Sequence, residues 1–174
     1  MLTLLLKNHP QLRDEAEALA LRMITAVEPE CVADDLVFAF EDIEQEEIWD
    51  HSGADRYGGY TDPGEAADDL CEERLRPFHE ELERLFAMGL AEPALAQVKG
   101  MLLGLHQAKA TLPPDAEEYP AESGAFSVLE AWVRHTPAEA DPQLMTWIAK
   151  ELPDWAAHLE NTRVLLRKPA GKAP

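Results

Sequence analysis

Apolar residues along this chain recur at intervals of three and four, the spacing of one face of an α-helix. No segment shows the alternation of apolar and polar residues that a half-buried β-strand requires. Alanine and leucine, both strong helix formers, fill many of the positions. The pattern predicts an all-α protein of about seven antiparallel helices. The predicted helical stripes cover residues 12–27, 32–49, 66–89, 95–105, 126–133, 144–148 and 155–166.

Proline and acidic residues punctuate these stripes. Residues 62–65 read Asp-Pro-Gly-Glu, which combines an N-cap aspartate, a proline at the first helical position and a glutamate three residues after the cap. Pro77 lies inside the third stripe, where the loss of a backbone donor predicts a kink. The main irregular connection is 110–122. Short connections of this kind fit either a helical bundle or a short stack of helix pairs of the TPR or HEAT type.

The composition fits a globular chain with one core. Of 174 residues, 46% are hydrophobic and 28% are charged. We expect one helical domain over residues 1–167 and a disordered tail over 168–174, where prolines and lysines leave nothing to pack. No run approaches the roughly 20 apolar residues of a membrane span. The apolar run at residues 1–6 is too short for a secretory signal, so we expect a cytoplasmic protein.

The charge balance restricts the class of partner. Lysine and arginine number 15 against 34 aspartates and glutamates, a formal net charge of −19. Because phosphate contacts need cations, this charge opposes binding to nucleic acid and to an anionic membrane. A small basic patch near the C-terminus is the exception, and it is too small to outweigh the rest. Its members are Arg163, Arg167, Lys168 and Lys172.

The most unusual segment is 28–50, which contains ten acidic residues and no lysine or arginine. Repulsion between like charges on a helix is unfavourable, and a basic partner would relieve it. The segment is therefore either a docking face for such a partner or a solvated outer helix face. Its acidic residues are Glu28, Glu30, Asp34, Asp35, Glu41, Asp42, Glu44, Glu46, Glu47 and Asp50.

A loop at residues 51–60 follows this segment and contains an arginine, two tyrosines and three glycines. Arginine and tyrosine are frequent at binding hot spots because they bring forked donors and large rigid surfaces. The alternative is that the tyrosines pin the loop to the helices and the arginine pairs with local carboxylates. The sequence predicts a partner-binding site where segment and loop meet. The candidate residues are Glu46, Glu47, Trp49, Asp50, Arg56, Tyr57 and Tyr60.

The fourth stripe carries small residues at intervals of four, at Ala96, Gly100, Gly104 and Ala108. These positions share one helix face, which another helix backbone can approach closely. The face predicts internal helix packing, with self-association between copies of the chain as the alternative.

Motifs for catalysis and metal binding are missing. None of the six histidines has a glutamate three residues before it, and no G-x-S-x-G elbow occurs. Cys31 and Cys71 are far apart in sequence and form no C-x-x-C pair. We therefore expect no catalytic residue, no metal and no cofactor.

One resemblance rests on a series of short runs in order, at residues 43–50, 56–63, 65–67, 75–78, 89–90 and 99–105. Together they resemble the helical region that follows the zinc module in bacterial SWIM zinc-finger proteins, and they cover about residues 30–108. The resemblance implies an all-helical accessory domain rather than an enzyme. The zinc module itself needs C-x-C followed by C-x-H, which this sequence lacks, so the family's metal does not carry over.

These features favour a helical protein-interaction module with an acidic docking face for a basic partner. One alternative is a carboxylate-based, metal-dependent enzyme, which needs Asp, Glu and His to converge on facing helices. Another is a nucleic-acid-associated accessory factor, which the resemblance suggests and the charge opposes. Instead of binding nucleic acid, the acidic surface could mimic it and occupy a basic partner.

Overall fold

A computed structural model of the protein describes residues 15–16, 18–19, 25–54 and 59–168. Seven α-helices and one short hairpin lie within these residues, which confirms the all-α prediction. The predicted first helix lies mostly outside the described residues, and so does the tail beyond Lys168. The elements are α1 (Pro29–Glu41), α2 (Gln45–His51), β1 (Gly53–Ala54), β2 (Tyr60–Thr61), α3 (Pro63–Ala87), α4 (Ala91–Ala108), α5 (Ala125–His135), α6 (Asp141–Glu151) and α7 (Ala156–Arg167).

Helix α4 forms the centre of the fold. It packs against α1, α3, α5 and α6, and also against the single π-helical turn Pro120–Gly124. Val98, Leu102 and Leu105 are completely buried in the one continuous core. In a stack of helix pairs each unit contacts its sequence neighbours alone, whereas here four helices share one central helix. The arrangement in the described residues is therefore that of a bundle.

The small-residue stripe of α4 packs against α1. A Cβ added at Gly100 would lie 2.5 Å from the Cβ of Val32 and 2.6 Å from the carbonyl oxygen of Pro29. A Cβ added at Gly104 would lie 2.9 Å from the carbonyl oxygen of Ala33. The glycines thus allow the two helix backbones to approach each other. Because α1 of the same chain covers this stripe, the stripe is not a free face for self-association.

Helix α3 begins as the sequence predicts. The Asp62 side chain accepts a hydrogen bond from the backbone N–H of Glu65 at 3.0 Å, and Pro63 occupies the first turn. The helix then continues through Pro77 to Ala87. No helix in the described part of the chain has both the length and the apolar character that crossing a bilayer requires.

Two local features differ from the sequence prediction. The stripe over residues 32–49 is not one helix, because α1 ends at Glu41 and α2 starts at Gln45. Ile43, in the turn between them, is buried in the core, so the turn still contributes to packing. The hairpin β1–β2 was not predicted: its strands have two residues each, too few for an alternating pattern to be visible. Ala54 pairs with Tyr60, and Gly53 adopts a positive φ of 103°.

Candidate functional site

Helix α2 carries the centre of the predicted site. Ile48 is fully buried and anchors the helix, and Ser52 Oγ donates to the carbonyl of Trp49 at 3.0 Å at its C-terminal end. Glu46, Trp49 and Asp50 are exposed. Their spacing of three and four residues places them on the same side of the helix. They form one outward face, which we call the α2 face.

Glu47 has a different environment from its neighbours. Its Oε1 accepts a hydrogen bond from Arg74 Nη2 of α3 at 3.3 Å, and both side chains are about one-third exposed. Arg74 Nε is buried and has no hydrogen-bond partner of its own. This carboxylate is therefore the ionic partner of a half-buried guanidinium. Such a contact holds α2 against α3. This is a structural role, the alternative to partner binding that the sequence left open for this region.

Further contacts position α2 and its hairpin. Gln45 Nε2 donates to Asp115 Oδ2 at 2.6 Å, which ties the start of α2 to the turns after α4. Tyr60, in β2, is 70% exposed. Arg56 and Tyr57, the other two loop candidates, lie outside the described residues.

The structure adds one exposed aromatic ring that the sequence analysis overlooked. Phe38 of α1 is 69% exposed, and Trp49 is 61% exposed. Phe38 lies two positions from both Leu36 and Phe40, which are buried. Two residues along a helix rotate a side chain by about 200°, so this spacing could have identified the ring as outward-facing. Exposed aromatic rings therefore accompany the acidic residues on both α1 and α2.

A second candidate region lies between α3 and residues 115–127. It consists of three cavities of about 460, 430 and 190 Å³. The two larger cavities share Glu72 and Ser127, and Tyr119 lines both the largest and the smallest. The region, which we call the acidic groove, is lined by seven carboxylates, those of Asp68, Asp69, Glu72, Glu73, Asp115, Glu118 and Glu122.

Sequence reasoning missed the acidic groove for an identifiable reason. Four of its carboxylates, at positions 68, 69, 72 and 73, have the spacing of one helix face, and this signal was present in the sequence. Glu118 and Glu122 come from the irregular connection and the π-helical turn that follows it. Their approach to α3 depends on tertiary packing.

A serine and a histidine also meet in the largest cavity. His79 Nε2 lies 3.0 Å from Ser127 Oγ, and Ser127 Oγ donates to the carbonyl of Gly124 at 2.8 Å. Because the hydroxyl proton is used in that bond, the imidazole Nε2 is the donor to Oγ. A nucleophilic serine requires the opposite direction, with the histidine as acceptor. Burial lowers the pKa of His79, and Arg134 lowers it further, while Glu83 and Glu130 oppose the shift.

The described residues contain neither a candidate metal centre nor a free pair of arginines in the predicted basic patch. Among the described residues, no group of three or more His, Cys, Asp or Glu side chains is placed to hold a metal ion. Cys31 is exposed, Cys71 is buried, and both are free thiols.

Of the predicted basic patch, Arg163 and Arg167 form ion pairs with Asp141, and Arg163 also pairs with Glu160. These two arginines are therefore largely neutralised by carboxylates of the same chain.

The chain matches no protein-family model, no curated protein and no solved structure.

Proposed function

We propose that the protein is a non-catalytic interaction module that binds a basic surface of a partner protein through the α2 face. One observation carries the proposal: Glu46, Trp49 and Asp50 are exposed together, and neither carboxylate forms an ion pair within the described part of the chain. Their charge is therefore available to a partner.

The chemistry of the α2 face suits a protein partner with lysine or arginine at its surface. An exposed indole supplies a large, rigid apolar surface of the kind that dominates binding energy. The two carboxylates supply electrostatic attraction, which raises the association rate and is weakened by salt. Tyr60, in the hairpin that follows α2, is also strongly exposed and would add a second aromatic ring.

The resemblance to the helical region of SWIM zinc-finger proteins supports an accessory role, and we include it in the proposal together with a cytoplasmic location. The alternative of a metal-dependent enzyme would require a convergent ligand set, and we find no such set in residues 25–54 and 59–168. The alternative of a nucleic-acid-associated factor has less support, because Arg163 and Arg167 are engaged in internal ion pairs.

The test uses a charge-reversed variant, Glu46→Lys with Asp50→Lys. A matched control, Glu92→Lys with Glu139→Lys, changes the net charge equally at two exposed glutamates elsewhere. Affinity capture from the native cell, quantified by mass spectrometry, should show at least a tenfold loss of a specific partner with the first variant. The control should retain that partner. Equal recovery with wild type and both variants would show that the α2 face is not a docking site.

A further inference from the structure

We infer that the acidic groove is a second binding site, which receives a short arginine-containing segment of a partner protein, with one guanidinium held beside Tyr119. The inference rests on the proposed function in one respect, the basic character of the partner. It places the contact between α3 and residues 115–127, on residues that the α2 face does not include.

The groove is long enough for a segment of polypeptide. Asp68 and His79 both belong to its lining, and they are separated on α3 by about 16 Å at a rise of 1.5 Å per residue. An extended chain advances about 3.3 Å per residue, so roughly five residues would cover this length. Shared lining residues connect the three cavities. A single small cation would occupy a fraction of this space.

The groove has an unbalanced negative charge. None of its seven carboxylates forms an ion pair with any described residue, although many other surface carboxylates do, and Asp115 alone accepts a side-chain hydrogen bond, from Gln45. Arg76 is the sole lysine or arginine among the described residues that line the cavities. Partial burial raises the pKa of Asp68, and the nearby Glu72, Asp69 and Glu122 raise it further. A cationic ligand would relieve this mutual repulsion.

Tyr119 provides an independent indication of a ligand. The residue is 3% exposed, and its hydroxyl makes no hydrogen bond with any described residue. The side chain lines both the largest and the smallest cavity. Burial raises the pKa of this phenol, and Cys71, Glu72 and Asp68 add to the effect, so the hydroxyl stays neutral beside carboxylates. The phenol oxygen is accessible to solvent and has no partner among the described residues, so a ligand donor in the cavity would take the place of water as its hydrogen-bond partner.

Arginine suits a site with several carboxylates and one phenol hydroxyl better than other cations do. Its planar guanidinium carries five N–H donors, so one group can reach the phenol oxygen and carboxylates on both sides of the groove. Glu72 and Glu122 lie on those two sides, on α3 and on the π-helical turn. Phe126, which is 45% exposed, lines the adjoining cavity and offers an aromatic face for stacking.

The experiment measures binding of a fluorescein-labelled hexapeptide of alternating arginine and glycine by fluorescence anisotropy. Glu72→Gln with Glu122→Gln should weaken binding at least tenfold. Tyr119→Phe should weaken it several-fold without lowering the melting temperature, because the lost hydroxyl makes no intramolecular bond. One control removes the same charge elsewhere, Glu92→Gln with Glu139→Gln, and it should bind like wild type. The same titrations with spermine test a small polyamine as the ligand.

Three results would overturn the inference. Equal weakening by the groove variant and by the charge-matched control would mean that the peptide is attracted by the overall negative charge rather than by the groove. An affinity of Tyr119→Phe equal to that of wild type would show that the Tyr119 hydroxyl does not contact the peptide. Spermine binding as tightly as the peptide, with the same sensitivity to the variants, would replace the peptide with a polyamine. The proposal for the α2 face is tested by a different experiment, affinity capture with the Glu46→Lys, Asp50→Lys variant. Each proposal can therefore be wrong while the other is right.

Discussion

Arg167 binds the carboxylate of Asp141 through two nitrogens, with Nε 3.0 Å from Oδ2 and Nη2 2.7 Å from Oδ1. Asp141 is 2% exposed and also accepts hydrogen bonds from Arg163 Nη1 and Trp132 Nε1. Arg167 Nη1 donates to the carbonyl of Thr136 as well. One buried carboxylate thereby connects α5, α6 and α7. Burial raises its pKa, but the hydrogen bonds from the two arginines and the indole hold that pKa below its ordinary value.

Replacing Asp141 by asparagine should destabilise the protein by roughly 3 kcal/mol, because two arginines that are about four-fifths buried would lose their counter-charge. Urea unfolding followed by circular dichroism measures the effect. The control Glu160→Gln removes a more exposed partner of Arg163 and should cost less than about 1 kcal/mol. Similar losses in both variants would contradict the central role of Asp141.

Gly100→Ala should lower the free energy of unfolding by about 1–2 kcal/mol. The new methyl group would overlap Val32 and the Pro29 carbonyl, and this overpacking outweighs the better helix propensity of alanine. Gly64→Ala is the control, since its Cβ would meet a single side-chain oxygen, and it should change stability by less than about 1 kcal/mol. A change of oligomeric state with unchanged stability, measured by sedimentation velocity and urea unfolding, would instead favour the self-association alternative.

The sequence was informative where periodicity and local chemistry determine the outcome. It predicted the helices, the Asp62 cap and the close packing at Gly100, because each depends on spacing along one element. It did not predict the role of Asp141. Its partners Arg163 and Arg167 come from a helix more than twenty residues later. The same limit applies to Tyr119, whose place in the lining of two cavities depends on how the irregular connection folds back onto α3.

Cys71 should resist alkylation in the native protein, whereas Cys31 should react readily. Burial raises the pKa of the Cys71 thiol to about 12, and Asp68 adds to the effect, so almost no thiolate forms at neutral pH. Cys31 is exposed. Mass spectrometry after brief iodoacetamide treatment should find one modified cysteine, with the second appearing after unfolding. Equal modification of both thiols under native conditions would contradict the packing around α3.

The free energy of unfolding should fall as the pH is lowered from about 6.5. The folded-state pKa of His79 lies below the ordinary histidine value of 6.5, so between these two values the unfolded state binds more protons. Stability contributed by the neutral imidazole is present above pH 6.5 and is lost as the pH falls through the folded-state value. Urea unfolding at pH 7.5 and 5.5 tests this, and His79→Gln should reduce the difference. An identical difference in that variant would assign the effect to other groups.

Glu47→Lys should lower stability by about 1 kcal/mol, whereas Glu46→Lys should change it by less than about 0.5 kcal/mol. The first substitution replaces the ionic partner of Arg74 with a like charge in a half-buried contact, and the second alters a solvated residue of α2. The cycle that combines Glu47→Lys with Arg74→Glu tests the cause, because exchanging the charges should recover part of the loss. Equal melting temperatures for the two single variants would mean that the contact at 3.3 Å contributes nothing measurable. If the two single variants do differ in stability, a Glu47 variant that captures less partner could do so because it is less stable rather than because a binding contact is lost. The binding test therefore uses Glu46 and Asp50, which are not ion-paired within the described part of the chain.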